Sequence, residues 1–235
     1  MKIPYVSDSS SLSLYVGTQS ITTKTLLLLL AGHALVMNHY KIPFSPMVFI
    51  PFMGAAVAMK DHPKDAWQDA MIAFGGPALG TVGAAGVALG AQATDSQLLY
   101  ALADFGFMVN LFNMMPIGSM DGGRITGALS PYFGVVGLGM GGGLIATGII
   151  SNPIIYLVML AGGWSTFQRF YDPAGHQPYP NYYKITQAQR TAVGTCYFGL
   201  IGVMVAGMAA NSVNKKPPEE IRRQYEELSF DERHF

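Results

Sequence analysis

Long stretches without a charged side chain alternate with short charged segments along this chain. No Lys, Arg, Asp or Glu occurs within residues 25–40, 42–59, 70–94, 105–120, 125–168 or 191–214. Several of these stretches reach the ~20 apolar residues with which an α-helix crosses a lipid bilayer. The pattern therefore predicts an all-α polytopic membrane protein with about six transmembrane helices.

Polar residues, glycines and prolines mark where the predicted membrane helices begin and end. The longest charge-free stretch has room for two spans, with Ser151-Asn152-Pro153 as the turn between them. Residues 60–69 and 169–190 are polar and are predicted as loops. The predicted helices are, in chain order, residues 22–40, 70–93, 97–116, two within 125–168, and 191–213.

Residues 44–59 differ from the other apolar stretches because they contain Pro46 and Pro51. Two prolines make this stretch too short and too interrupted for a spanning helix. Irregular backbone at membrane depth is tolerated only where protein covers it. We therefore predict a re-entrant segment or a β-hairpin, inserted between the first two helices.

A single membrane domain is predicted over residues 22–213. A polar N-terminal extension of residues 1–21 precedes it, and a charged C-terminal tail of residues 214–235 follows it. The tail mixes both signs of charge and is predicted to dock on a partner, although a solvated charged helix has the same pattern.

Composition excludes two classes of protein. Half of the residues are hydrophobic, 12% are charged, and the formal net charge is zero, whereas a nucleic-acid-binding protein carries a basic face. Cys196 is the single cysteine, so a disulfide framework and a cysteine-ligated zinc site are both excluded. The predicted partners are lipids and other membrane subunits, and not nucleic acid.

Glycines recur along the predicted helix at residues 70–93. Glycine pairs four residues apart let membrane helices approach closely, so this surface is expected to pack against other helices. A second run, Gly137–Gly143, lacks the Lys-Ser/Thr ending and the preceding strand of a phosphate loop, and is also attributed to packing. The glycines assigned to packing in the first of these runs are Gly76, Gly80, Gly83, Gly86 and Gly90.

Asp121 follows an apolar segment, and its carboxylate is therefore expected at membrane depth or at the membrane edge. An acid in that environment is costly and marks a candidate functional site. The alternative is a polar turn between two helices, in which Asp121 pairs with Arg124.

The spacing around Asp121 resembles a known family signature. Residues Asn113, Pro116, Asp121, Gly122 and Gly123 stand at the positions of the NxxPxxxxDGG motif of the site-2 proteases, which are intramembrane zinc metalloproteases. Several motifs in the same order are more specific than one, and together they cover roughly residues 22–212. The other similar segments are Lys41-Ile42-Pro43 with 48–55, Gly75–Gly80, and Tyr182-Tyr183 with Gln189-Arg190.

The resemblance implies an HExxH motif on the first helix, where two His bind zinc and the Glu activates the metal-bound water. In the matching pentad, residues 29–33, His33 takes the place of the second His. Leu29 replaces the first His and Leu30 replaces the catalytic Glu. Asp121 matches the family's third protein ligand. Catalytic zinc needs three protein ligands, so these residues imply a vestigial metal site without zinc or catalysis.

Other roles are open for the residues that remain. A hydrogen bond between His33 and Asp121 is the leading structural interpretation, because an unpaired buried carboxylate is costly. Axial ligation of haem or chlorophyll by His33 is a second interpretation, and a lipid in the vacated pocket is a third. Asp104 either faces the same pocket or lies near the membrane interface.

The predicted function is that of a catalytically inactive site-2-protease-like subunit, a pseudoenzyme that acts as a scaffold or accessory component of a larger membrane complex. No cofactor is expected. The alternative is an active zinc metalloprotease with a non-standard or partner-completed metal site. The expected location is the inner membrane of an organelle, mitochondrial or thylakoid, with a bacterial plasma membrane as the other option.

Overall fold

The computed structural model describes residues 27–46, 48–50, 54–118, 120–148, 153–171, 179 and 181–215. In this part the chain is predominantly helical, as the sequence predicts, with one pair of short strands. The predicted N-terminal extension and almost all of the predicted charged tail lie outside the described residues. The elements are α1 (Leu27–His39), β1 (Val48–Ile50), β2 (Gly54–Ala56), α2 (Ala66–Thr94), α3 (Gln97–Asn113), α4 (Asp121–Leu129), α5 (Tyr132–Ala146), α6 (Pro153–Tyr171) and α7 (Gln187–Asn214).

The stretch between α1 and α2 contains two antiparallel strands. In β1 and β2, Phe49 lies opposite Ala55, and an isolated bridge between Phe44 and Met59 extends the pairing. Proline interrupts the hydrogen bonds of a helix, so residues 44–59 do not continue α1. Pairing in a hairpin gives the backbone N–H and C=O groups of this stretch other partners.

Helix α2 begins four residues earlier than the sequence predicts. The Asp65 side chain accepts a hydrogen bond from the backbone N–H of Gln68 at 2.8 Å, which caps the helix and makes residues 66–69 helical rather than part of a loop. Pro77 lies inside the helix, and the Thr81 hydroxyl donates to its carbonyl oxygen at 2.6 Å. The helix ends at Asp95, which has a left-handed backbone.

Helix α2 is the centre of the packing. It contacts α3, α4 and α7, while α3 and α4 also contact α7. Helices α5 and α6 pair with each other, and α5 joins the rest through α4. The main buried cluster includes Ala73, Ala84, Ala103, Phe107, Met114, Ile125, Val193 and Met204.

Helix α4 is an element that the sequence analysis did not predict. Asp121 lies in the first turn of this helix rather than in a turn between two spans, and Ser130 ends the helix before α5 begins. The carbonyl oxygens of Ala128 and Leu129 accept hydrogen bonds from the Arg190 guanidinium at 3.1 and 2.7 Å. A cation at the C-terminal end of a helix stabilises it, so α4 depends on tertiary contacts for its end.

Two helices among the described residues are long and apolar enough to cross a membrane, α2 and α7. The protein itself buries 44% of the apolar segment of α2 that could span a membrane, but only 17% of the corresponding segment of α7. Helices α1 and α5 are apolar but shorter, within the described ranges, than the ~20 residues of a typical span. The structure therefore supports a helical protein with two candidate spans, fewer than the six that the sequence predicts.

Candidate functional site

His33 lies where α1 crosses α2. The backbones of Gly32 and Gly75 approach so closely that a Cβ at either position would overlap the other backbone. One residue along α2, Gly76 lies against the His33 imidazole in the same way. The glycines thus bring the two helices together and leave room for the ring of His33, a residue that is only 8% exposed.

The two ring nitrogens of His33 have different partners. Nδ1 lies 2.8 Å from the carbonyl oxygen of Ile72, and because a carbonyl only accepts, Nδ1 carries the hydrogen. Nε2 lies 3.3 Å from Oδ2 of Asp121. Both side chains are close to 90% buried, so the contact gives each polar group a partner in an environment that penalises an unpaired one.

Asp121 is positioned by the loop that precedes α4. Gly122 and Gly123 pack directly on the backbone of the residues before them, from Met114 to Gly118. A Cβ at either glycine would overlap that backbone, so the side-chain-free pair in the motif lets the loop fold tightly onto the first turn of α4. The carboxylate then lies at a helix N-terminus, where the helix dipole favours a negative charge.

Leu29 and Leu30 precede His33 on α1 and are buried, with 9% and 3% of their surfaces exposed. Within the described residues, no group of three or more His, Cys, Asp or Glu side chains is arranged to hold a metal ion. His39 is exposed and contacts Tyr40 edge-to-face. His33 and Asp121 therefore supply two ligands, one fewer than the three protein ligands that catalytic zinc needs, and the residues described do not fit that metal.

Arg124 forms its ion pair with Asp69. The alternative from the sequence, in which Arg124 pairs with Asp121, is wrong. Its Nε donates to Asp69 Oδ1 at 3.0 Å, and its Nη2 also contacts this oxygen. The Tyr182 hydroxyl hydrogen-bonds the same carboxylate. Burial, together with the Asp69 carboxylate, raises the pKa of Tyr182 well above its ordinary value, so the phenol stays neutral.

Asp104 does not face His33. Its carboxylate accepts a hydrogen bond from Asn211 at 2.7 Å and forms an ion pair with Lys215. Since Lys215 follows the last residue of α7, these contacts fix the end of α7 against the middle of α3.

The glycine-lined surface of α2 is shorter than the sequence indicates. Gly76 and Gly80 lie against the side chains of His33 and Asn110, and Gly83 lies against Leu28. Among the described residues, no atom comes within 4 Å of a Cβ at Gly86, and only Leu99 approaches one at Gly90, at 4.0 Å.

Asn110 is a buried polar residue that the sequence analysis missed. It has no exposed surface, and its Nδ2 donates to the carbonyl oxygen of Gly106 at 2.8 Å. Within the described chain, its Oδ1 has no hydrogen-bond donor. The signal that could have identified it is an amide side chain within an apolar helical run, where a buried polar group needs a partner.

Comparison with known proteins adds no relative. No protein-family model and no curated protein sequence matches this chain.

Proposed function

We propose that this protein is a catalytically inactive, site-2-protease-like membrane subunit that acts as a scaffold or accessory component of a larger complex. The observation that carries the proposal is the pairing of His33 with Asp121 at 3.3 Å, beside two buried leucines, Leu29 and Leu30. Two buried groups that satisfy each other give a stable contact between α1 and α4. Without a Glu at the position of Leu30, nothing there activates a water molecule.

A polytopic arrangement of about six spans is part of this proposal. The best support is α7, because the core helix of a soluble protein is mostly buried, whereas only 17% of the apolar window of α7 is buried. An apolar surface of that extent needs lipid or a partner subunit to cover it. Large apolar side chains are also exposed along α5, α6 and α7, among them Val135, Val136, Met140, Leu157, Leu160, Trp164, Phe167, Phe198, Val203 and Val213.

The partners in this proposal are other membrane subunits and lipids, and the location is an organelle inner membrane or a bacterial plasma membrane. Without a protease activity, the apolar surfaces of α5 to α7 are what the protein offers to a complex.

An active metalloprotease is the second candidate, and one contact favours it. In metal sites, a ligating His usually donates its other ring N–H to a carbonyl or carboxylate, which fixes the ring. The Nδ1 of His33 donates to Ile72 in this way and leaves Nε2 directed at Asp121. A ligand from a partner subunit would have to complete such a site.

Zinc stoichiometry separates the two candidates. The full chain is purified in mild detergent at its native assembly size, and zinc is measured by elemental analysis. The scaffold proposal predicts no stoichiometric zinc in the wild-type protein. About one zinc per chain, lost in Asp121→Asn and retained in His39→Gln, would refute it. His39→Gln is the matched control because His39 lies on the same helix and is exposed.

A gain-of-binding variant tests the resemblance itself. Leu29 lies one helical turn before His33, on the same side of α1. If the site is similar to that of the site-2 proteases, Leu29→His supplies the missing ligand, and the variant binds about one zinc per chain. A well-folded Leu29→His protein without zinc would contradict the resemblance.

A further inference from the structure

A polar cavity lies apart from His33 and Asp121. It has a volume of about 150 Å³ and is enclosed by the start of α2, by α4, by the first turn of α5, by the end of α6 and by Tyr182-Tyr183. Neither His33 nor Asp121 lines it. Its charged lining residues are Asp69, Arg124 and Arg169.

The charges of these three residues do not cancel. Asp69 and Arg124 neutralise each other through their ion pair. Arg169 has no carboxylate within ion-pair distance among the described residues. Instead, its Nη2 donates to the carbonyl oxygen of Gly127, and its guanidinium lies 4.0 Å from the centre of the Tyr183 ring. Among the described residues that line it, the cavity therefore has an excess of one positive charge, on a side chain that contacts the protein on two sides.

Further groups along the wall suit an anion. The hydroxyl-bearing residues Ser165 and Thr166 line the cavity next to Arg169, and hydroxyls donate hydrogen bonds to anionic oxygens. The first turn of α5, with Gly134, borders it as well, and a helix N-terminus favours negative charge. At Gly134 a Cβ would crowd the Thr166 side chain, so the glycine keeps this hydroxyl in its position.

We propose that this cavity binds a phosphate group, either the headgroup of a phospholipid or free phosphate. The guanidinium of arginine presents several N–H donors in a planar fork that matches two phosphate oxygens. Basic pockets between membrane helices bind lipid headgroups by this chemistry. The inference does not depend on the scaffold proposal, because the cavity lies outside the His33–Asp121 pair.

The test uses the full chain in mild detergent, with two probes. Inorganic phosphate is titrated in one series, and phosphatidylglycerol is added in the other, with phosphatidylcholine as the reference lipid. Binding is measured from the rise in the midpoint of thermal unfolding with ligand concentration. Arg169→Gln removes the unpaired charge. Lys184→Gln removes one positive charge from an exposed side chain close by and is the matched control.

We expect one or both probes to stabilise the wild-type protein, and we expect Arg169→Gln to weaken that binding by at least about tenfold. Lys184→Gln is expected to change it by less than about twofold. Stabilisation by phosphatidylglycerol alone would support a lipid headgroup, and stabilisation by inorganic phosphate would support a site for free phosphate.

The proposal is overturned if neither probe stabilises the wild-type protein, or if Arg169→Gln and Lys184→Gln have equal effects. If Arg169→Gln does not fold, Thr166→Val takes its place, because it removes a hydroxyl from the wall and retains the branched shape. We expect Thr166→Val to weaken binding by about threefold or more, and unchanged binding would overturn the proposal.

Discussion

Adding a single methyl group to α2 tests how tightly His33 is held. A Cβ at Gly76 would lie 2.5 Å from Cε1 and 2.7 Å from Cδ2 of the His33 ring, whereas ordinary contacts begin near 3.4 Å. Nε2 lies closer still, so in Gly76→Ala the ring has to move by more than ~1 Å to reach an ordinary contact distance. Such a displacement disturbs the hydrogen bond to Ile72 and the contact with Asp121.

The expected magnitude combines three effects. Overpacking a well-filled site costs about 1–3 kcal/mol, and leaving buried polar groups unpaired costs about 1–3 kcal/mol. The higher helix propensity of alanine returns about 1 kcal/mol. We expect Gly76→Ala to lower the free energy of unfolding by about 1–5 kcal/mol.

Gly86→Ala is the matched control on the same helix. Among the described residues nothing lies within 4 Å of a Cβ at Gly86, so the propensity term remains and a gain of up to about 1 kcal/mol is expected. The assay is denaturant unfolding in detergent, followed by tryptophan fluorescence.

A double-mutant cycle adds a second criterion. When His33→Ala is combined with Gly76→Ala, the methyl group no longer meets a ring, so the two effects should be strongly non-additive. Equal stability of Gly76→Ala and the wild-type protein, or simple additivity in the cycle, would refute the packing of His33 on Gly76.

Two further predictions concern buried hydrogen bonds. Asp121→Ala should cost about 1–3 kcal/mol of stability because it leaves Nε2 of His33 without its partner. Asp121→Asn should cost less, because an amide N–H can still donate to Nε2. Denaturant unfolding that ranks the two variants in the opposite order would contradict this prediction. Because the pKa of Tyr182 is raised in the folded protein, stability should be constant below the ordinary tyrosine pKa of ~10 and fall as the pH rises above it. Tyr182→Phe should remove part of that alkaline decline in thermal melts, and an unchanged profile would count against it.

Much of the helical pattern was predictable, because charge-free stretches and prolines act locally. The ends of α2 and the existence of α4 were not. Helix α4 has nine residues, including three glycines, and it is held by the Arg190 guanidinium more than 60 residues away in the sequence. Local propensity cannot indicate a helix whose stability comes from such a distant contact.

The candidate site divides in the same way. Motif spacing led to His33 and Asp121, which the fold brings together. The pairing of Asp69 with Arg124 is not predictable from the sequence, because 55 residues separate them and the charged segment 60–69 has the pattern of a loop. The glycine spacing alone could not distinguish Gly80 from Gly86, since both belong to pairs of glycines four residues apart. The difference is a tertiary contact, because Gly80 lies against Asn110 of α3 and no described residue lies within 4 Å of a Cβ at Gly86.

Under the proposed function, the His33–Asp121 pair is stable without a metal ion, and burial gives the physical reason. A carboxylate as buried as that of Asp121 is costly unless a polar partner accompanies it, and Nε2 of His33 lies 3.3 Å from its Oδ2. Removing either residue leaves the other unpaired, so stability alone ties the two together. Leu29 and Leu30 need no polar partner, because their apolar side chains are buried and add to the interior. Under the proposed function, a metal-binding pair can thus lose its third ligand and its catalytic Glu while the remaining two residues act as a contact between α1 and α4.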